Sequence, residues 1–203
     1  MSVELEDSLS SLRWRARPVN DFSAAEFLRL ARLRVDVFVV EQTCVYPEFD
    51  CFDAMQSTLH ITGDRVDGTD VQTLACARVM FAEDPAGVSI ADDQSPSVPD
   101  QYPVFARIGR VAVKQELRGV GVASNLMEFV LAEIKNRADS RQGYLATAAS
   151  KSQIQQPMSR DTFCVTLSSQ TYVVPFYASL GFVTCSNPYL EDGIEHVLSL
   201  IHI

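Results

Sequence analysis

"VFARIGRVAVKQELRGVGVASNLMEFVLAEIKNR" spans residues 104–137, and its reading decides the fold. Residues 104–113 read as an apolar strand. Residues 123–137 place Leu126, Met127, Val130, Leu131 and Ile134 on one face of a helix. Between them lies "RGVGVA" (118–123). The first turn of a helix carries unpaired N–H groups and the positive end of the helix dipole. Glycines let an anion approach that backbone closely. Strand, glycine turn and helix therefore form a phosphate cradle, with Arg118 as a fixed positive charge at its rim. No Gly-Lys-Ser/Thr follows, so this is not a Walker loop, and it is not a G-x-G-x-x-G fingerprint either. Taken alone, the loop reads equally as a tight turn whose glycines serve only their dihedrals.

Working outward, "LRWRARPV" (12–19) alternates Leu12, Trp14 and Ala16 with arginines, which predicts a half-buried strand. "SAAE" (23–26) has the form of a capping box. A helix should follow through residue 40, with Phe27, Leu30, Ala31 and Arg34 on one face. "TLHIT" (58–62) and "TLACARVMF" (73–81) predict a hairpin joined by "GDRVDGTD". Residues 83–103, rich in Pro, Asp, Ser and Gly, predict a long loop, and 138–160 a polar insertion with some local helix. Strands are expected at 162–169, 182–186 and 196–203, with a short helix at 173–181 ended by Gly181. This alternation predicts a single α/β (α+β) domain over 1–203, with a mixed central sheet of about six or seven strands flanked by helices.

The formal net charge of -9 disfavours a nucleic-acid partner, which needs clustered Lys and Arg. The acidity fits either a solvated surface or a cationic substrate. No apolar run is long enough to span a membrane, and "MSVELEDSLSS" lacks the apolar core of a signal peptide, so a cytoplasmic protein without a membrane partner is expected. The five scattered cysteines fit reduced thiols. The three histidines have no metal-ligand spacing, so no metal is expected.

"VAVKQELRGVGVA" resembles the cofactor motif of GNAT-superfamily N-acetyltransferases, with Arg118, Gly121 and Ala123 at its consensus positions. "VPFYASLGFVTCS" resembles the second motif of that superfamily. "LRVDVFVVEQTCVYPEFDCFD" and "EDGIEH" resemble the N- and C-terminal signatures of its ElaA-like branch. Four motifs in the right order cover most of the chain, and the 83–103 loop and 138–160 insertion depart from the pattern.

The resemblance implies acetyl transfer from acetyl-CoA to an amine by direct attack through a tetrahedral intermediate. Arg118, Gly119, Val120, Gly121, Val122 and Ala123 would hold the pyrophosphate. The peptide-like pantetheine arm would pair with the open edge of Val111, Ala112 and Val113, whose backbone would also face the thioester oxygen. Gly109 would permit a bulge that splays this strand from its neighbour. The thiolate leaving group needs an acid, and the resemblance carries that role to Tyr177. The attacking amine needs a base, for which Glu41, Asp192, Glu195 and His196 are candidates. Glu48, Asp50 and Asp53 would attract a cationic acceptor, and His60 is a further acceptor-site candidate. Spermidine-like polyamines, aminosugars, other small amines and protein termini all fit that description.

Two other readings use the same residues. The N-terminal signature is also similar to that of acyl-homoserine-lactone synthases, which generally take acyl-carrier protein and lack the glycine turn. A non-enzymatic CoA-binding regulatory domain would keep the fold without the chemistry.

Overall fold

Trp14 and Gly63 set the spacing of the first two strands. They face each other where β1 (Arg13–Arg17) runs antiparallel to β2 (Leu59–Asp67). A Cβ on Gly63 would lie 2.4 Å from the Trp14 ring, so only glycine lets the indole cross the neighbouring strand. The indole then stacks on Phe129 at 6.2 Å. The arginines of β1 alternate away from it, Arg15 to Glu26 and Asp64 and Arg17 to Glu26. The computed structural model describes residues 12–44, 46–82, 96, 104–149 and 164–203, and only the backbone of 141–149. Most of the 83–103 loop and residues 150–160 of the expected insertion lie outside the described residues.

The expected connection "GDRVDGTD" is strand almost to its tip. β2 and β3 (Asp70–Phe81) stay in register to Asp67 and Asp70, leaving Gly68 and Thr69 as the turn. Asp64 makes this possible. Its buried carboxylate accepts from Thr62, Thr73 and Arg15, at 3.1, 2.6 and 2.8 Å.

The capping box forms as expected. Ser23 and Glu26 exchange hydrogen bonds at the start of α1 (Ala24–Arg34). The Ser23 amide and hydroxyl, together with Arg17, hold the Glu26 carboxyl down at about 2. After Arg34 the helix widens into a π-helical segment, Val35–Glu41, closed by Gln42 N–H on the Val37 carbonyl. Its β-branched run fits poorly in a tight α-turn, and such widened turns often accompany functional sites.

The remaining strands are β4 (Val104–Val113), β5 (Cys164–Gln170), β6 (Val183–Thr184), β7 (Tyr189–Glu191) and β8 (Ile194–His202). They form one mixed sheet in the order β1-β2-β3-β4-β5-β8-β6, with β7 beside β8. The strand that sequence reading missed is β7, turned back on β8 through Asp192 and Gly193, both at positive φ. Only β4 and β5 run parallel.

Helix α2 (Val122–Ala149) continues past the expected end at 137. Its Leu126, Met127, Val130 and Ile134 are completely buried against Ile61, Val79, Ile108 and Leu167. Each such side chain contributes on the order of 1.5–3 kcal/mol. On the opposite face, Leu30, Leu33 and Val37 cover Cys76 and Ala112. The short α3 (Val174–Ser179) brings Tyr177 to the α2 side. Among the described residues no helix is long and apolar enough to cross a membrane, and all five cysteines are unbridged.

Candidate active site

β4 and β5 separate. Their pairing runs from Val104 and Cys164 to Ile108 and Leu167 and goes no further, although β5 continues beside β8 to Gln170. On its other side β4 bulges against β3. Cys76 faces Ala112 and Arg78 faces Gly109, so Arg110 and Val111 stand against Ala77 alone. Arg110, not Gly109, takes the positive φ of the bulge, 52°. Gly109 serves differently. It lines the cleft, and a Cβ there would stand in open space. The splay leaves the Gly109–Val113 edge of β4 turned toward a cleft of about 560 Å³.

The glycine turn closes one end of this arrangement. Gly119 and Gly121 have φ of 75° and 92°, and a Cβ on either would meet nothing within 4 Å. Leu117 and Val122 are buried, and Val120 and Ala123 pack against the same core, so the turn is anchored by its apolar side chains. Ala112 and Val113 are buried too, leaving their backbone as the part a ligand can use. Arg118 ties the turn down from outside. Its Nε donates to the Val113 carbonyl at 2.9 Å, and its terminal nitrogens donate to Glu41 at 2.5 and 2.8 Å. The Arg118 hydrogen bond holds the Glu41 carboxyl below the usual range. Glu41 is thus placed at the glycine turn, bound to Arg118 and outside the cleft lining. An open backbone edge and two uncrowded glycines before the start of α2 fit a CoA thioester.

Strand alternation divides the cleft into two faces. Tyr177 lies on the α2 face, T-stacked on Phe176 at 5.1 Å and Phe182 at 6.0 Å. It is 8% exposed, and burial pushes its hydroxyl well above the ordinary phenol range. Ser169, which sequence reading missed, also lines the cleft, and its buried Oγ has no hydrogen-bond partner among the described residues.

On the α1 face the acidic acceptor candidates are tied to arginines. Glu48 and Asp53 are buried and ion-paired. Arg34 Nε donates to Glu48 at 2.5 Å and Arg34 Nη1 to Asp53 at 2.6 Å. Arg110 contacts Glu48 at 3.1 Å, and Arg78 contacts Asp53 at 3.0 Å. Burial alone would raise the Asp53 carboxyl, but Arg34 and Arg78 outweigh it and hold it at about 2. Asp50 does line the cleft, yet it accepts from Arg78 at 2.8 Å. Each of these acids is thus ion-paired with an arginine. His60 is 1% exposed, its Nε2 2.9 Å from the Asp53 carbonyl, and burial lowers its basicity. It lies outside the cleft lining.

The β7–β8 side does reach the cleft. Asp192, Glu191 and His196 line it, and Glu195 is exposed outside the lining. His196 Nδ1 lies 2.9 Å from the Ile194 carbonyl. A carbonyl only accepts, so Nδ1 carries a proton, and in the neutral ring Nε2 holds the lone pair. Ser168 Oγ is 2.6 Å from the Tyr189 hydroxyl and 2.7 Å from Glu191 Oε2. Sequence reading missed this triad, because only the pairing of β5 and β7 with β8 assembles it.

Comparison with known proteins agrees with this geometry. A family model described as an acetyltransferase (GNAT) domain matches residues 141–198. A UPF0039 protein of Schizosaccharomyces pombe is 31% identical over 189 residues, covering 93% of this chain and 96% of that protein. The crystal structure of an acyl-CoA N-acyltransferase from Pseudomonas aeruginosa superposes with a TM-score of 0.61 at 29% identity, covering 94% and 99% of the two chains. That of Escherichia coli ElaA does so with a TM-score of 0.63 at 26% identity, covering 93% and 98%. A CoA-dependent acyl-homoserine lactone synthase, solved with SAM and isopentyl-CoA, shares the fold at 19% identity, with a TM-score of 0.61 over 94% and 82% of the chains. With this fold, this splayed strand pair and these relatives, the chain belongs to the ElaA-like, UPF0039 branch of the GNAT superfamily of acyltransferases.

Proposed function

We propose that the protein transfers an acetyl group from acetyl-CoA to the primary amine of a small molecule in the cytoplasm, without a metal. The observation that carries this reading is the parting of β4 from β5 between the glycine turn and Tyr177. The start of α2 would receive the pyrophosphate, with Arg118 at its rim. The pantetheine amides would pair with the freed edge of β4 as an added strand. Ser169, whose buried hydroxyl has no partner among the described residues, would meet one of their polar groups. The thioester carbonyl would then lie at the Arg110–Val111 bulge, where a backbone N–H stabilises the oxyanion.

The amine would enter on the α1 face, between β4 and the β7–β8 turn. Its nitrogen attacks the carbonyl carbon, the C–N bond forms, and the C–S bond breaks. Tyr177 remains protonated at neutral pH and would donate to the departing sulfur. Because burial weakens it as an acid, hydrogen-bond donation to the developing thiolate is the larger part of its help. His196, with a free Nε2 lone pair, and Asp192 stand on the acceptor side as groups able to take the amine's proton. The five free thiols accord with a reducing compartment.

Acyl transfer of the lactone-synthase type is the second reading. It is favoured by the buried charges of the 34–53 segment, which carries the signature both families share. Thiol release from acetyl-CoA, measured against a panel of primary amines and S-adenosylmethionine, tests both. Release with simple amines supports the first, and release confined to S-adenosylmethionine supports the second. CoA binding without release for any acceptor leaves a regulatory domain.

A further inference from the structure

Ser168 is the first residue of β5 beyond the last β4–β5 pair, so its side chain stands at the mouth of the splay. Its neighbours Thr166 and Gln170 share its face by alternation, and Gln170 reaches Gln42 at the end of the π-helical segment at 3.2 Å. Ser168 therefore belongs to the acceptor face, while Ser169 belongs to the face of Tyr177. Its oxygen is 2.7 Å from Glu191 and 2.6 Å from the Tyr189 hydroxyl, and Tyr189 is 3.4 Å from the same Glu191 oxygen.

The proton positions follow from the acceptors. An ionised carboxylate only accepts, so the Ser168 proton points to Glu191. The Tyr189 proton then points to Ser168 Oγ. One lone pair of Ser168 is left over, and Ser168 and Glu191 both line the cleft while Tyr189 backs them.

We propose that Ser168 and Glu191 are the proton relay of the acceptor site, on the reading that the acceptor is an amine attacking a CoA thioester. As the C–N bond forms, an N–H proton of the attacking amine passes to Ser168 Oγ, and the proton already on Ser168 passes to Glu191 Oε2. The electron pair of the breaking C–S bond leaves with sulfur, beside Tyr177. No other reactant is consumed. Asp192, exposed at the β7–β8 turn, and His196, one strand further from β4, then bind and orient the acceptor. Several groups share the cleft with the relay and shape its titration. They are Arg107 and Arg110 from β4, Arg78 from β3, Asp50 and Cys44 from the segment after the π-helix, and His196 from β8.

The test is steady-state kinetics on Glu191→Gln and Ser168→Ala, with acetyl-CoA and the best amine from the panel. Glutamine still accepts from Ser168 but cannot take its proton. Both variants should lose about 10²-fold in kcat/KM for the amine at neutral pH. The KM for acetyl-CoA and the melting temperature should not move. The deficit of Glu191→Gln should shrink as pH rises, because hydroxide replaces the lost base, and Glu191→Asp should recover part of the rate. Wild-type kcat/KM and an unshifted pH profile in Glu191→Gln would overturn the relay while leaving the acetyltransferase reading intact. If Glu191→Gln melts early, Ser168→Ala decides alone, and a full rate there overturns the relay. A wild-type protein that releases thiol with no amine overturns the acetyltransferase reading and the relay together.

Discussion

Arg118 of the glycine turn grips Glu41, the last residue of the π-helical segment, with both terminal nitrogens, at 2.5 and 2.8 Å. The pair joins the glycine turn to the segment that carries Phe38 and Gln42 into the cleft. Both side chains are more than a third exposed, so the bond is worth only about 0–1 kcal/mol.

Glu41→Gln should therefore melt near the wild-type temperature. Calorimetry should show CoA binding unchanged or tighter, because a carboxylate that competes with pyrophosphate for Arg118 is gone. Amine turnover should persist. A collapse of kcat with an unchanged KM for acetyl-CoA would restore Glu41 as the base.

Tyr177→Phe keeps the ring that packs on Phe176 and Phe182 and removes only the hydroxyl. The expected result is a kcat lower by about 10²-fold with little change in the KM for acetyl-CoA, since the loss falls on the transition state. Full activity across the pH range would remove Tyr177 from the reaction.

Arg34 is 1% exposed and bound to both Glu48 and Asp53. Arg34→Ala leaves two buried carboxylates short of a partner and should cost about 3–5 kcal/mol. The wild-type acid response follows from Asp53 and Glu26, both held at about 2. Depressed carboxyls add stability above their unfolded value, about 3.9 for Asp and 4.3 for Glu, and lose it as pH falls through the folded value. Urea melts should therefore weaken progressively from about pH 4 down to 2. A flat profile over that window would show that these ion pairs do not hold the acidic loop.

Much of the fold was legible in the sequence because periodicity is local. Leu126, Met127, Val130 and Ile134 mark the core face of α2 without any knowledge of the sheet, and Ser23 and Glu26 mark where α1 starts. The π-helical widening was not legible, since an α-turn and a π-turn use the same kinds of residue. The acidic signature was misread for a different reason. Arg34 meets Glu48 and Asp53 across 14 and 19 residues, and Arg118 meets Glu41 across 77. A count of carboxylates cannot reveal which arginines the fold brings to them. His60 alternates with Leu59 and Ile61 as expected, but the face it points to is closed by Asp53.

The acceptor's charge is the last consequence of those pairings. The chain carries a formal net charge of -9, and an acidic cleft would favour acceptors with several ammonium groups. Yet Glu41 is held by Arg118, Glu48 by Arg34 and Arg110, and Asp50 and Asp53 by Arg78. Glu191 and Asp192 also stand on the cleft wall, Glu191 bonded to Ser168 and Asp192 exposed at the β7–β8 turn. One acid serves the reacting amine, which leaves at most one for a second cationic group at an exposed turn. Such a contact is worth about 0.2–1 kcal/mol, or no more than about fivefold in binding. A polyamine should accordingly exceed a monoamine of equal length by less than about fivefold in kcat/KM, and that margin should fade with added salt. Asp192→Asn should erase that margin, leaving the polyamine and the monoamine with equal kcat/KM. A polyamine preferred by about a hundredfold, undiminished in Asp192→Asn, would mean that the arginine-bound acids open to the substrate after all.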